Sequence, residues 1–68
     1  MRVIINGELH ELDADASLTD AISALRDPRE GRGLAAALDG EVVPRGRWSE
    51  TRLSEGARIE LVVAVQGG

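Results

Sequence analysis

The chain has no cysteine, no lysine, no phenylalanine and no tyrosine among its 68 residues. Without cysteine it has no disulfide, no thiolate metal ligand and no thiol nucleophile, and its redox compartment is not legible. The single histidine, His10, cannot build a zinc site by itself. All eight basic residues are arginine, set against twelve acids, for a net charge of -4. That balance repels nucleic acid and anionic membrane and offers no basic stripe. The absence of lysine also leaves no acceptor amine, so the chain cannot build lysine-linked chains of itself. Long apolar runs are missing too: Leu34 to Leu38 and Leu61 to Val65 are five residues each, against about 20 for a membrane helix. The first residues lack the apolar stretch of a signal peptide, so the expectation is a soluble, cytoplasmic protein. No nucleophile, acid-base pair or metal cluster can be assembled from this inventory, which argues against a stand-alone enzyme. The length allows one domain, near the size at which a core supplies only ~3–5 kcal/mol, with room for one helix on one sheet.

What is present is concentrated at the end: Ile59-Glu60-Leu61-Val62-Val63-Ala64-Val65-Gln66-Gly67-Gly68. An apolar strand that gives way to two glycines offers the last residue to solvent as a free carboxylate on a thin stalk. Extended at ~3.3 Å per residue, Ala64 to Gly68 spans roughly 16 Å, enough to thread into a partner's active site. Glycine suits a narrow channel, because without a Cβ the backbone approaches the walls closely and no side chain crowds the carboxyl carbon. Chain ends are also commonly frayed, and a dipeptide alone does not separate the two readings.

Taken in order, Met1 to Ile5 is short and β-branched and reads as a strand. Asn6-Gly7 is a hairpin turn, and Glu8 to Leu12 returns antiparallel. If Met1, Val3 and Ile5 face the core, Ile4 is left outside. His10 reads as a strand histidine with no catalytic partner in the pattern. Ser17-Leu18-Thr19-Asp20 forms a capping box that starts a helix. Leu18, Ala21, Ile22 and Leu25 make its apolar stripe, and Asp27-Pro28 ends it. About ten helical residues are too few to be stable alone, so this helix depends on docking. Arg29-Glu30-Gly31-Arg32-Gly33 matches no phosphate-loop spacing and reads as a linker. Leu34 to Leu38, Asp39-Gly40 and Glu41 to Val43 repeat the strand, turn, strand pattern. Alanine at 35, 36 and 37 keeps a helical alternative open for the first of these. Pro44 ends the next strand, consistent with a sheet edge. Trp48, the only aromatic residue, reads as a packing residue. Leu53-Ser54-Glu55-Gly56 is a turn into the last strand, Arg58 to Val65. Apolar on both faces, that strand belongs at the centre of the sheet, parallel to the first.

These residues carry a resemblance. The opening strand ending in Asn6-Gly7, Val43-Pro44-Arg45 followed by Trp48, the Leu53 to Gly56 turn and the closing Ala64-Val65-Gln66-Gly67-Gly68 resemble the ThiS family of sulfur carriers in thiamin biosynthesis, over essentially the whole chain. One departure is Ala57, where the family usually has aspartate, a change that concerns the turn. The implied fold is α+β, a ubiquitin-like β-grasp in which a mixed five-stranded sheet, in the order β-β-α-β-β-β, packs one helix. The expected domain covers residues 1–65, with 66–68 as an extended Gly-Gly tail. The resemblance implies that the Gly68 carboxylate is adenylated by an E1-like, ThiF-type partner, with ATP and magnesium held by that partner and no cofactor on this chain. Sulfur from a donor such as a cysteine desulfurase then converts Gly68 to a thiocarboxylate, which passes it to a ThiG-type thiazole synthase. Gly67, with Gln66 before it, is the channel residue. A carrier of this kind is not itself an enzyme.

On the face away from the helix, Val62 and Ala64 are expected near Ile4, a small apolar patch suited to partner docking. Three alternatives stay open. A MoaD-like carrier for molybdopterin synthesis shares the Gly-Gly end, although the chain length and the Pro44, Arg45, Trp48 spacing argue against it. A ubiquitin-like modifier would be conjugated to target lysines through Gly68. An interaction module would keep its function without Gly68.

Overall fold

The computed structural model describes residues 1–25 and 33–63. Two short turns with positive φ set its frame. Asn6 and Gly7 lie at φ 50° and 84°, and Asp39 and Gly40 at 50° and 88°, the pair of left-handed conformations that matches the twist of two antiparallel strands. The first turn joins β1 (Arg2–Ile5) to β2 (Glu8–Glu11) and the second joins β3 (Leu34–Leu38) to β4 (Glu41–Val43). The last strand, β5 (Arg58–Val63), runs between the two hairpins, parallel to β1 and antiparallel to β3. The strand order is therefore β2-β1-β5-β3-β4. The most apolar strand is central, and Pro44 follows an edge strand, where its missing N–H breaks no ladder. Ala36 and Ala37 of β3 are paired on both sides, opposite β4 and β5, and Ala35 is paired with Val62 of β5, so tertiary pairing overrides their low strand propensity.

The helix α1 (Leu18–Leu25) starts where the sequence places it. Asp20 Oδ2 accepts from the Ser17 N–H at 2.8 Å, and the Asp20 N–H donates back to Ser17 Oγ at 3.3 Å. Leu18, Ala21 and Ile22 are fully buried against Val3, Ile5 and Ile59 in one core cluster. Leu25, one turn further, is 43% exposed. The expected stop at Asp27-Pro28 and the linker at 29–32 lie outside the described residues.

The connection before β5 is more regular than its sequence suggests. Arg45–Glu50 forms a 3-10 helix, and Trp48 on it is 4% exposed, with Nε1 donating to the Val43 carbonyl at 2.8 Å. The guanidinium of Arg45 lies 5.0 Å from the centre of the Trp48 ring. The chain then returns beside the helix start: the Leu18 N–H donates to the Thr51 carbonyl at 2.9 Å, and the Leu53 N–H to the Ala16 carbonyl at 3.2 Å. Ala57 is 4% exposed and belongs to the core cluster. A methyl group suits that position, which is a core site as well as the close of the turn, its N–H donating to the Ser54 carbonyl at 3.0 Å.

Among the described residues no buried side chain is polar or charged. No helix of the described chain is long and apolar enough to cross a membrane.

Candidate functional site

The residues singled out at the end of the chain follow β5, whose described range closes at Val63, five residues before Gly68. Of the residues singled out at the end of the chain, Ala64, Gln66, Gly67 and Gly68 lie outside the described residues, as does the boundary expected after Val65. What is described is the strand that precedes them, the root of the expected tail, and the sheet face around it.

That root is held on both sides. Five residue pairs join β5 to β3, from Leu38 opposite Ile59 to Leu34 opposite Val63. On the other side β1 contributes two pairs, Ile4 with Arg58 and Ile5 with Ile59. Side chains along β5 alternate: Ile59 is buried under the helix and Leu61 packs at the core margin, whereas Arg58, Glu60 and Val62 point to the open face.

The open face carries a shallow groove of about 160 Å³ bordered by Ala35, Ala37, Val42, Glu60 and Val62. The register explains it. Val62 stands opposite Ala35, and Ala37 stands between Glu60 on one side and Val42 on the other. Two alanines leave the floor low, and two valines flank it, 62% exposed at Val62 and 75% at Val42. Contiguous exposed apolar surface on a small domain marks an interaction site more often than a single exposed residue does.

Ile4 shares this face but not this groove. It pairs with Arg58 and with Leu9 of β2, so Val62 lies four residues, about 13 Å, further along the sheet. Ile4 is half-buried, with Arg58 and Glu60 between it and the valines. The expected closeness of Ile4 to Val62 does not hold, because parallel pairing of β1 stops at Ile5 while β5 runs on. Val42, Ala35 and Ala37 were missed by sequence reasoning, although a signal existed. A two-residue Asp39-Gly40 turn fixes Val42 opposite Ala37 and on the face shared with Val62.

Among the described residues, the other polar groups do not assemble into a catalytic centre. His10 on β2 lies opposite Val3, with Nε2 3.8 Å from Glu8 Oε1, beyond hydrogen-bond reach. A surface depression of about 490 Å³ is lined by Glu11, Asp13, Asp15 and Asp20, at the end of the sheet away from Val63. One of these carboxylates, Asp20, already serves the helix cap. Among the described residues, no group of three or more His, Asp or Glu could hold a metal ion.

Comparison with known proteins follows the same outline. The model of the ThiS family matches residues 3–68. The crystal structure of the thiamine biosynthesis protein ThiS from Geobacter metallireducens is 26% identical, covers 100% of both chains and superposes with a TM-score of 0.80. The solution structure of a thiamine biosynthesis protein from the same organism is also 26% identical, covering 100% of this chain and 88% of the other with a TM-score of 0.75. No curated protein sequence matches.

Proposed function

This chain belongs to the ThiS family, and from that premise we propose that it is a sulfur carrier of thiamin biosynthesis whose reactive group is the Gly68 carboxylate. The observation that carries the proposal is the family match itself, which runs to residue 68 and so includes Gly67-Gly68.

The chemistry follows from the functional group. A carboxylate is a poor electrophile, so it must first gain a leaving group. An E1-like, ThiF-type partner supplies one by adenylating Gly68, holding the ATP and magnesium itself. The terminal sulfur of a persulfide, generated by a donor such as a cysteine desulfurase, attacks the acyl carbon and expels AMP. A thiol then cleaves the resulting S–S bond, is itself oxidised to a disulfide, and leaves the thiocarboxylate on Gly68. A ThiG-type thiazole synthase consumes that sulfur. The chain has no cysteine, so its terminus is the one chemically reasonable place for transferable sulfur. Gly67 and Gln66 form the stalk that enters the partner's channel, and the absence of a Cβ at Gly67 lets the walls close on the backbone. These partners are cytoplasmic in the proposed pathway, and the carrier works there with them.

Docking is assigned to the open face, with Val62 at its centre and Ile4 at its far margin; Ala64, the other residue proposed for it, lies outside the described residues. Apolar contact over the face would bring the root of the stalk to the partner while leaving the last residues free to thread.

The mechanism needs Gly68 to be terminal. Appending one residue after Gly68 is expected to abolish adenylation while the fold is unchanged, read as loss of ATP–pyrophosphate exchange with the adenylating partner. Normal sulfur loading of the extended chain, shown by mass to be untrimmed, would contradict the mechanism.

A further inference from the structure

We propose that Asn6 is a positioning residue for the C-terminal stalk: its side-chain amide replaces the next peptide unit of β1 and fixes where β5 leaves the sheet toward Gly68. The inference rests on the proposed function and adds to it a residue far from the terminus in sequence.

The hydrogen bonds between β1 and β5 repeat as a parallel ladder must. The Ile4 N–H donates to the Ala57 carbonyl at 2.8 Å and the Asn6 N–H to the Ile59 carbonyl at 2.9 Å. The next repeat calls for an acceptor for the Leu61 N–H and a donor for the Leu61 carbonyl. The backbone of β1 cannot supply them, because Asn6 at φ 50° and Gly7 at 84° turn the chain back into β2. The Asn6 side chain does. Its Oδ1 accepts from the Leu61 N–H at 2.8 Å and its Nδ2 donates to the Leu61 carbonyl at 3.3 Å. One residue thus meets two demands, tolerance of a left-handed backbone and an amide with both donor and acceptor. Glycine meets only the first, aspartate the first with an acceptor alone, and glutamine the second at a backbone cost.

The other hairpin shows the contrast. Asp39 has the same φ of 50°. Its own N–H already donates to the Arg58 carbonyl at 2.8 Å, so the side chain is needed only as an acceptor, and Oδ1 takes the Arg58 N–H at 3.0 Å. The two turns therefore hold β5 at Arg58 and at Leu61. Among the described residues, Leu61 is the outermost point at which β5 is held from the β1 side; Val62 and Val63 are paired from the β3 side, opposite Ala35 and Leu34. Freed at Leu61, the end of β5 is fixed from one side alone, and the point from which the chain continues to Gly68 is less closely placed. Docking through the open face is unaffected, since Asn6 is not part of the groove, but delivery of the carboxylate to bound ATP is less well aligned. Misalignment lowers kcat rather than raising KM.

The test follows adenylation as ATP–pyrophosphate exchange for the wild-type chain, Asn6→Gly and Asn6→Asp, and reads amide hydrogen exchange of Leu61 in the free proteins. Asn6→Gly is expected to fold, to speed exchange at Leu61 by about tenfold or more, and to lower kcat by about tenfold with KM within about twofold. Asn6→Asp keeps the acceptor and falls between. Unchanged exchange at Leu61, or faster exchange with wild-type kcat, or a rise in KM alone, overturns the inference. If Asn6→Gly does not fold, Asn6→Asp decides, and wild-type kcat in that variant overturns the inference. Wild-type activity with unaffected variants removes this inference alone. An unreactive wild-type chain, tested with an enzyme active on another carrier, removes the functional reading and this inference with it.

Discussion

Trp48 shows what a single residue contributes in so small a domain. Its ring is almost fully buried and its Nε1–H satisfies the Val43 carbonyl at the end of the edge strand. Trp48→Ala is expected to cost about 3–5 kcal/mol, comparable to the whole ~3–5 kcal/mol that a core of this size supplies. The variant should be largely unfolded by circular dichroism. Trp48→Phe keeps most of the ring and loses the donor, which should lower stability by about 1–3 kcal/mol in denaturant titration. Glu55 is a milder case. Its carboxylate accepts from the Arg2 N–H at 3.0 Å and from Arg2 Nε at 3.2 Å. The backbone bond from Arg2, aided by the guanidinium, holds the carboxyl below its ordinary range. A group depressed in the folded state stabilises above its unfolded pKa, and that contribution is lost as pH falls through the folded value. Melting temperature should therefore fall on acidification from about pH 6 to about pH 3, and slightly less steeply in Glu55→Gln. The effect is small because the pair is exposed to solvent.

At the scale of elements, local sequence was most legible where a conformation or a hydrogen bond is fixed within a few residues. Asn6-Gly7 and Asp39-Gly40 need only their own backbone preferences, and Ser17 with Asp20 needs only four residues. Ser17→Ala removes the acceptor for the Asp20 N–H and should cost about 1 kcal/mol in chemical unfolding. What depends on distant partners was less legible. Leu34 to Leu38 left a helical alternative open because three alanines say little by themselves; the pairing with β4 and β5 decides it. The 3-10 helix at Arg45–Glu50 has no local signal of its own, since its order comes from Trp48 inserting into the core and from residues 51 to 53 bonding back to 16 to 18. Asn6 was legible as a turn residue, but its hold on Leu61 links positions 55 apart in sequence and required the parallel register.

For the whole molecule, the sheet order and the single helix followed from counting turns and asking which strand is apolar on both faces. The docking face did not follow as well. Placing Ile4 beside Val62 assumed that β1 and β5 run level, whereas their pairing stops after Ile59 and leaves Val62 among Ala35, Ala37 and Val42. The groove so formed implies that Val62→Glu leaves the fold intact and weakens binding to the adenylating partner by about tenfold or more, because an unpaired carboxylate would be buried in apolar contact. Unchanged affinity by calorimetry would remove the groove from the docking surface. The central claim, that sulfur is carried on the terminus, is tested most directly by intact mass before and after incubation with the adenylating partner, ATP and a sulfide source, with fragmentation to place any change. The account expects a gain equal to replacing one oxygen by sulfur, located at Gly68 and captured by a thiol-alkylating reagent; fragmentation separates it from oxidation of Met1 or Trp48. An unmodified Gly68, with a partner and sulfide source shown to load another carrier, would contradict it.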